Sequence, residues 1–137
     1  MSSAVQDLPL DQQLASGGSH FIDIPSIPWQ ASAFPGIAVK VLYNDAKAGM
    51  STMLVKLDPG ATIPLHEHVG VEQTYVLEGS LEDHQGAVTA GNFCWRDAGS
   101  THVAHAPNGA LVLAFFTKPN RFFGGAPHMA DYVAGTR

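Results

Sequence analysis

The chain has 137 residues, of which 45% are hydrophobic and only 14% charged, and its formal net charge is −5. That length favours one domain with a core large enough to stand without disulfides or a structural metal. The seven basic residues are never adjacent, which excludes the electrostatic footprint of a protein that binds a phosphate backbone.

Residues 1–19 are polar, end in Ser16-Gly17-Gly18-Ser19, and hold too few apolar groups to repay ordering, so a flexible N-terminal arm is expected there. They lack the basic and apolar regions of a signal peptide, and no stretch of the chain approaches the ~20 apolar residues of a membrane span. Cys94 is the only cysteine. A reducing compartment is therefore expected, and the cytoplasm is the predicted location.

Residues 20–137 are expected to form a single domain. Turn marks such as Pro35-Gly36, Asp58-Pro59-Gly60, Glu78-Gly79, Gln85-Gly86 and Pro107-Asn108-Gly109 leave runs of about five to nine residues, too short for ordinary helices. Residues 37–43 and 51–57 each set one lysine, Lys40 and Lys56, among apolar neighbours, as a strand with one wet face would. Residues 73–77, 101–105 and 110–117 are rich in β-formers and bounded by turns. No window sustains a 3.6-residue period, although residues 129–133 could form a short helix. The pattern predicts an all-β sandwich or barrel.

The segment Pro64-Leu65-His66-Glu67-His68-Val69-Gly70-Val71-Glu72 carries the chemistry. On a strand, His66 and His68 project from one face, about 7 Å apart along the chain, so both imidazoles can converge on one ion while Glu67 points away. Glu72 follows a bend at Gly70 and can return a carboxylate to the same ion. His102 follows the turn Asp97-Ala98-Gly99-Ser100 and supplies a further imidazole. His105 has the opposite strand parity to His102 and is expected to face outward. His84, in the turn after Asp83, and His128, in the tail, are expected to face solvent. If Glu72 points inward, Thr74 and Val76 share its face, and Gln73 and Tyr75 take the other. Cys94 reads as a structural thiol. Tyr75, Trp95, Phe115, Phe116, Phe122 and Phe123 are each expected in the core.

With these residues in place, the chain resembles the cupin superfamily. Its first motif, G-x5-H-x-H-x3-E-x6-G, is met at Gly60, His66, His68, Glu72 and Gly79. The second, G-x5-P-x-G-x2-H-x3-N, is met at Gly91, Gly99 and His102, with Asp97 in place of proline and Ala106 in place of asparagine. Asp97 still suits a turn. The resemblance spans residues 21–120 and implies a cupin double-stranded β-helix, a jelly-roll barrel with its metal inside.

The stretches around Trp29 and Pro35-Gly36-Ile37, Tyr75-Val76-Leu77-Glu78-Gly79-Ser80 and Gly91-Asn92-Phe93 are most similar to one cupin subgroup. It contains dioxygenases that cleave β-diketones or hydroxyacetophenones, and the cupin part of zinc-dependent anti-sigma factors. The anti-sigma kind has an additional zinc domain with cysteine and histidine ligands that these residues do not include, which favours the enzyme.

The resemblance implies one divalent metal per chain, held by His66, His68, His102 and Glu72. Such a mixed N/O set suits Fe, Zn, Mn, Ni or Co, with iron expected for an oxygenase. The implied function is a non-haem metal dioxygenase that cleaves a C–C bond next to a carbonyl in a small diketone, hydroxyketone or similar enolisable substrate, with O2 as co-substrate. Some diketone-cleaving relatives are thought to use histidines alone, so Glu72 is expected either as a labile ligand or just outside the ligands, and in both places as the catalytic residue. A non-catalytic metal-binding or ligand-sensing cupin, and a metal-dependent isomerase or lyase, remain alternatives. A homodimer is expected, because a small jelly roll has open sheet edges that association would cover.

Overall fold

The computed structural model describes residues 18–123. All of the expected arm over residues 1–19 except Gly18 and Ser19 lies outside the described residues, as do the short helix at 129–133 and His128. A 3₁₀ turn at Ile24–Ser26 is followed by ten strands: β1 Gln30–Ala31, β2 Ile37–Asp45, β3 Met50–Leu57, β4 Ala61–Glu67, β5 Glu72–Asp83, β6 Gly86–Thr89, β7 Phe93–Arg96, β8 Thr101–Ala106, β9 Ala110–Phe116 and β10 Arg121–Phe122. Their order is β1-β2-β3-β9-β5-β8-β4-β10, with β6 and β7 also paired to β5. All pairings are antiparallel. The sheet curls on itself in the all-β jelly-roll manner.

Strand β5 connects the two walls of the barrel. Residues 72–79 pair with β9 and residues 72–75 also with β7, whereas residues 80–83 pair with β6. The expected turn at Glu78-Gly79 is instead a bulge within this one strand, where the register shifts between Val76 and Glu78. Gly79 has φ +72°, and a Cβ there would collide with the carbonyl oxygen of Gly109. Only glycine lets the strand bend this closely over its neighbour.

Period-2 alternation sorts the side chains. Glu72, Thr74 and Val76 are buried, while Gln73 and Tyr75 are exposed, as parity requires. Val39, Met53, Val76, Val112 and Phe116 belong to a core that also reaches Phe34 and Ile63. Full burial of one such side chain contributes about 1.5–3 kcal/mol. His66, His68, Glu72 and His102 occupy the same interior.

Two expectations about individual side chains are corrected. Lys40 is buried, not wet. The segment before β1 folds over it: its ammonium donates to the carbonyl of Ile24 at 3.0 Å and sits 4.8 Å above the Trp29 ring, which Lys56 also approaches to 4.8 Å. Among the six aromatics expected inside, only Phe116 and Phe122 are buried. Tyr75, Trp95, Phe115 and Phe123 are exposed. Tyr75 pairs with Phe93, and Gln73 with both Trp95 and Phe115, so Tyr75, Phe93, Trp95 and Phe115 share the outer face of β7, β5 and β9. A contiguous apolar patch of this kind is uncommon on a monomer.

Candidate metal centre

Antiparallel register brings the histidines together. His66 in β4 is the direct cross-strand partner of His102 in β8. His68 lies one residue past β4, where its backbone N–H donates to the carbonyl of Ser100 at 2.8 Å and its carbonyl accepts from the N–H of Gly99 at 2.6 Å. The Asp97-Ala98-Gly99-Ser100 turn survives without proline, since the Ser100 N–H and hydroxyl both donate to the Asp97 carbonyl. It thereby pins His68 beside His102. The three ring centroids are separated by 4.6–4.9 Å, and one ring nitrogen from each falls within 4.8 Å of the others. Among the described residues these three histidines could hold a metal ion.

Hydrogen bonds set which nitrogens face inward. His66 Nδ1–H donates to the Pro64 carbonyl at 2.7 Å, and His102 Nδ1–H donates to Asp83 Oδ2 at 2.8 Å. Neither oxygen has a proton to give, because a carbonyl only accepts and the Asp83 carboxyl is held ionised. In the neutral imidazoles both Nε2 atoms are then lone-pair acceptors, and they face each other at 3.1 Å. Two lone pairs at that distance repel unless a proton or a metal cation sits between them. Burial, together with the charges of His102 and His68, pushes the His66 pKa down to about 4 against opposition from the Pro64 hydrogen bond and Glu72. Burial likewise lowers His102, against Asp83. A proton is therefore disfavoured near neutral pH, and the donor set fits a divalent metal.

His68 points the same way. It is fully buried, and its Nε2 has no hydrogen-bond partner. Its Nδ1 is 2.9 Å from Glu72 Oε2. Glu72 therefore lies against His68 but outside the cluster of three. Its Oε1 accepts from the Thr74 hydroxyl at 2.9 Å and from the Arg96 guanidinium at 3.3 Å. Burial would raise its pKa, but His68, Arg96 and Thr74 together bring it down to about 2.

Two residues of this network were not legible as site residues. Asp83 reads in the sequence as a turn former, and its Oδ1 does accept the N–H groups of Gln85 and Gly86. Its other oxygen orients His102, and burial is outweighed by His102, the Gln85 N–H and Arg96, so its pKa is lowered. Nothing local ties position 83 to position 102. Arg96 carried a fainter signal: it has inward parity beside Trp95 and pairs with Glu72 across β7 and β5. The remaining polar candidates stand apart. His105 points away from the cluster and contacts the Thr62 hydroxyl at 3.0 Å, and His84 is exposed. Cys94 is half-buried and its thiol pKa is raised by burial.

The cavity against His66, His102 and Glu72 is small, about 30 Å³, room for about two water-sized groups.

A curled antiparallel barrel with three inward histidines on facing strands defines a cupin. Residues 18–121 match the ChrR cupin-like domain family, and the chain belongs to that family. No curated protein sequence is significantly similar to it. Several solved structures share the fold. A proposed acetylacetone dioxygenase from Methylibium petroleiphilum is 20% identical, with a TM-score of 0.72 over 80% of this chain and 85% of that one. An acetylacetone dioxygenase from Acinetobacter johnsonii is 18% identical, with a TM-score of 0.68 over 84% and 87%. The anti-sigma ChrR of Rhodobacter sphaeroides, in complex with SigE, is 23% identical, with a TM-score of 0.59 over 68% of this chain and half of that one.

Proposed function

We propose that the protein is a metal-dependent dioxygenase that cleaves a C–C bond next to a carbonyl in a small diketone, hydroxyketone or similar enolisable compound. The observation that carries the metal in this reading is the approach of His66 Nε2 to His102 Nε2, 3.1 Å apart. His66, His68 and His102 are the proposed ligands of one divalent ion, and Glu72 is proposed as a further ligand and catalytic residue. A divalent ion bound there supplies Lewis acidity to a carbonyl oxygen and, as iron, reactivity with O2. The resemblance to two acetylacetone dioxygenase structures supports the substrate class.

The chain's own residues divide the work. The Pro64 carbonyl and Asp83 fix the rings of His66 and His102. Arg96 and Thr74 draw Glu72 Oε1 away from the histidines and leave Oε2 toward His68, so Glu72 serves as a weak, displaceable donor. Apart from the histidines, the charges of Glu72, Asp83 and Arg96 sum to −1. With a divalent ion held by the histidines, these groups would total +1, a charge that suits a monoanion such as an enolate. Val112, Ala114 and Phe116 exclude water from one side.

Cytoplasmic location and a homodimer associated through the face bearing Tyr75, Phe93 and Phe115 complete the proposal. Among the described residues no helix is long and apolar enough to cross a membrane.

The size of the cavity favours a second reading, a non-catalytic metal-binding or ligand-sensing cupin, because about 30 Å³ leaves little room for a diketone beside an ion unless the lining moves. Anaerobic loading with Fe(II), followed by oxygen uptake with a panel of β-diketones and hydroxyacetophenones, separates the two. Stoichiometric O2 consumption supports the dioxygenase. Metal binding with no uptake supports the sensor, and substrate loss without O2 consumption points to an isomerase or lyase.

A further inference from the structure

Of the residues lining the metal cavity, Ile63 and Arg96 are the least buried, the Arg96 side chain being 13% exposed beside that of Glu72 at 10%. The cavity comes nearest to solvent at Ile63 and at the Arg96–Glu72 pair. Ile63 is packed against the hydrophobic core. Arg96 instead forms part of the wall of a second, outer pocket of about 220 Å³, which also touches Asp83, Gln85, Ala87, Cys94 and Trp95. One charged side chain lies between the small chamber at the histidines and the larger outer one.

The contacts holding Arg96 are long. Its guanidinium is 3.3 Å from Glu72 Oε1 and 3.9 Å from Asp83 Oδ2. A guanidinium has five N–H donors in a planar fork that matches a carboxylate. Both anionic neighbours keep other partners if it turns away. Glu72 retains the Thr74 hydroxyl and the contact with His68. Asp83 retains His102 and the N–H groups of Gln85 and Gly86. Trp95, 60% exposed, adds a flat apolar wall to the outer pocket.

We propose that the outer pocket is an entrance subsite for a small planar organic anion, a carboxylate or enolate, and that Arg96 is its binding residue and the gate to the metal cavity. The anion exchanges the long contacts of Arg96 for a bidentate one, lays its apolar part against Trp95, and by drawing the guanidinium outward joins the two spaces. This rests on the divalent-ion reading of the histidine cluster.

The test uses the full chain loaded with Co2+, with metal withdrawal by pyridine-2,6-dicarboxylate followed by visible absorbance. Ala87→Trp fills the outer pocket from an exposed position on β6, and should slow withdrawal on the order of tenfold at unchanged Co2+ affinity, whereas Ile63→Phe should leave the rate as it is. Benzoate should protect the bound Co2+ in the unaltered chain, and Arg96→Gln should weaken that protection on the order of tenfold, the loss expected for a charge-assisted contact. An unchanged rate in Ala87→Trp, or slowing by Ile63→Phe instead, would overturn the gate while the metal reading stands. Equal protection by benzoate in Arg96→Gln would overturn the role of Arg96. Failure of the unaltered chain to take up Co2+ would overturn the metal reading and this inference with it. If Arg96→Gln does not fold, the Ala87→Trp result decides the route.

Discussion

His66 and His102 face each other across β4 and β8 with their Nε2 atoms 3.1 Å apart, each ring fixed from behind by an oxygen that only accepts. This pair needs a cation between the rings. Elemental analysis of protein purified without added metal is expected to find one divalent ion per chain, and His102→Ala to lose most of it. Asp83→Ala should retain the fold and weaken metal affinity by about 10–100-fold, since it removes the group that orients a ligand. Full occupancy in His102→Ala would refute the site.

Glu72 stands differently toward the ion. Three imidazoles suffice to hold it, while Glu72 is shared with Arg96, Thr74 and His68. Glu72→Gln keeps the shape and removes the charge. It is expected to retain most of the metal and to change turnover with a β-diketone or hydroxyacetophenone. Metal loss equal to that of His66→Ala would make Glu72 an ordinary structural ligand and favour a closed zinc centre.

The metal-free protein should lose stability in mild acid. The folded-state pKa of His66 is about 4, below its ordinary value of 6.5, so between these values the unfolded chain binds the proton and the folded chain does not. Stability is complete above pH 6.5, falls as the pH drops toward 4, and levels off for this group below that. The loss from His66 is on the order of 3 kcal/mol. His102 acts in the same direction. Glu72, lowered from 4.5 to about 2, extends the decline below pH 4.5. Urea unfolding in the presence of a chelator at pH 7, 5.5 and 4.5 measures this; a flat profile would show that His66 is not held neutral.

The outer face of β7, β5 and β9 should be an interface. Light scattering at micromolar concentration is expected to show a dimer, and Phe115→Lys, on the exposed side of β9, to yield a folded monomer with unchanged metal content. A unaltered chain that scatters only as a monomer would refute this.

Gly79→Ala should be destabilising by about 2–4 kcal/mol, because a Cβ meets the Gly109 carbonyl at a positive φ. Denaturant unfolding reads this directly, with Gly91→Ala, where a Cβ meets nothing, as the control for positive φ alone.

Much of the site is local and was therefore legible in the order of residues. Parity alone places Glu72, Thr74 and Val76 inside and Tyr75 outside, and separates His102 from His105, because a strand has a strict period of two. The spacing of His66, His68 and Glu72 needs only one strand and one bend. Strand existence in β2, β3, β8 and β9 followed from short β-rich runs between turn residues. What required the tertiary structure was everything set by which strand lies beside which. Asp83 reaches His102 across 19 residues, and Arg96 reaches Glu72 across 24; register decides both contacts, and register is invisible in either segment alone. Glu78-Gly79 carries the composition of a turn, yet pairing on both sides keeps β5 continuous and reduces it to a bulge. Lys40 is polar by type, but the chain at Ile24 and Trp29 covers it and provides a carbonyl and a ring. Sequence determined which side chains can share a face; only the closing of the sheet decided which faces meet, because that depends on pairings between residues far apart in the chain.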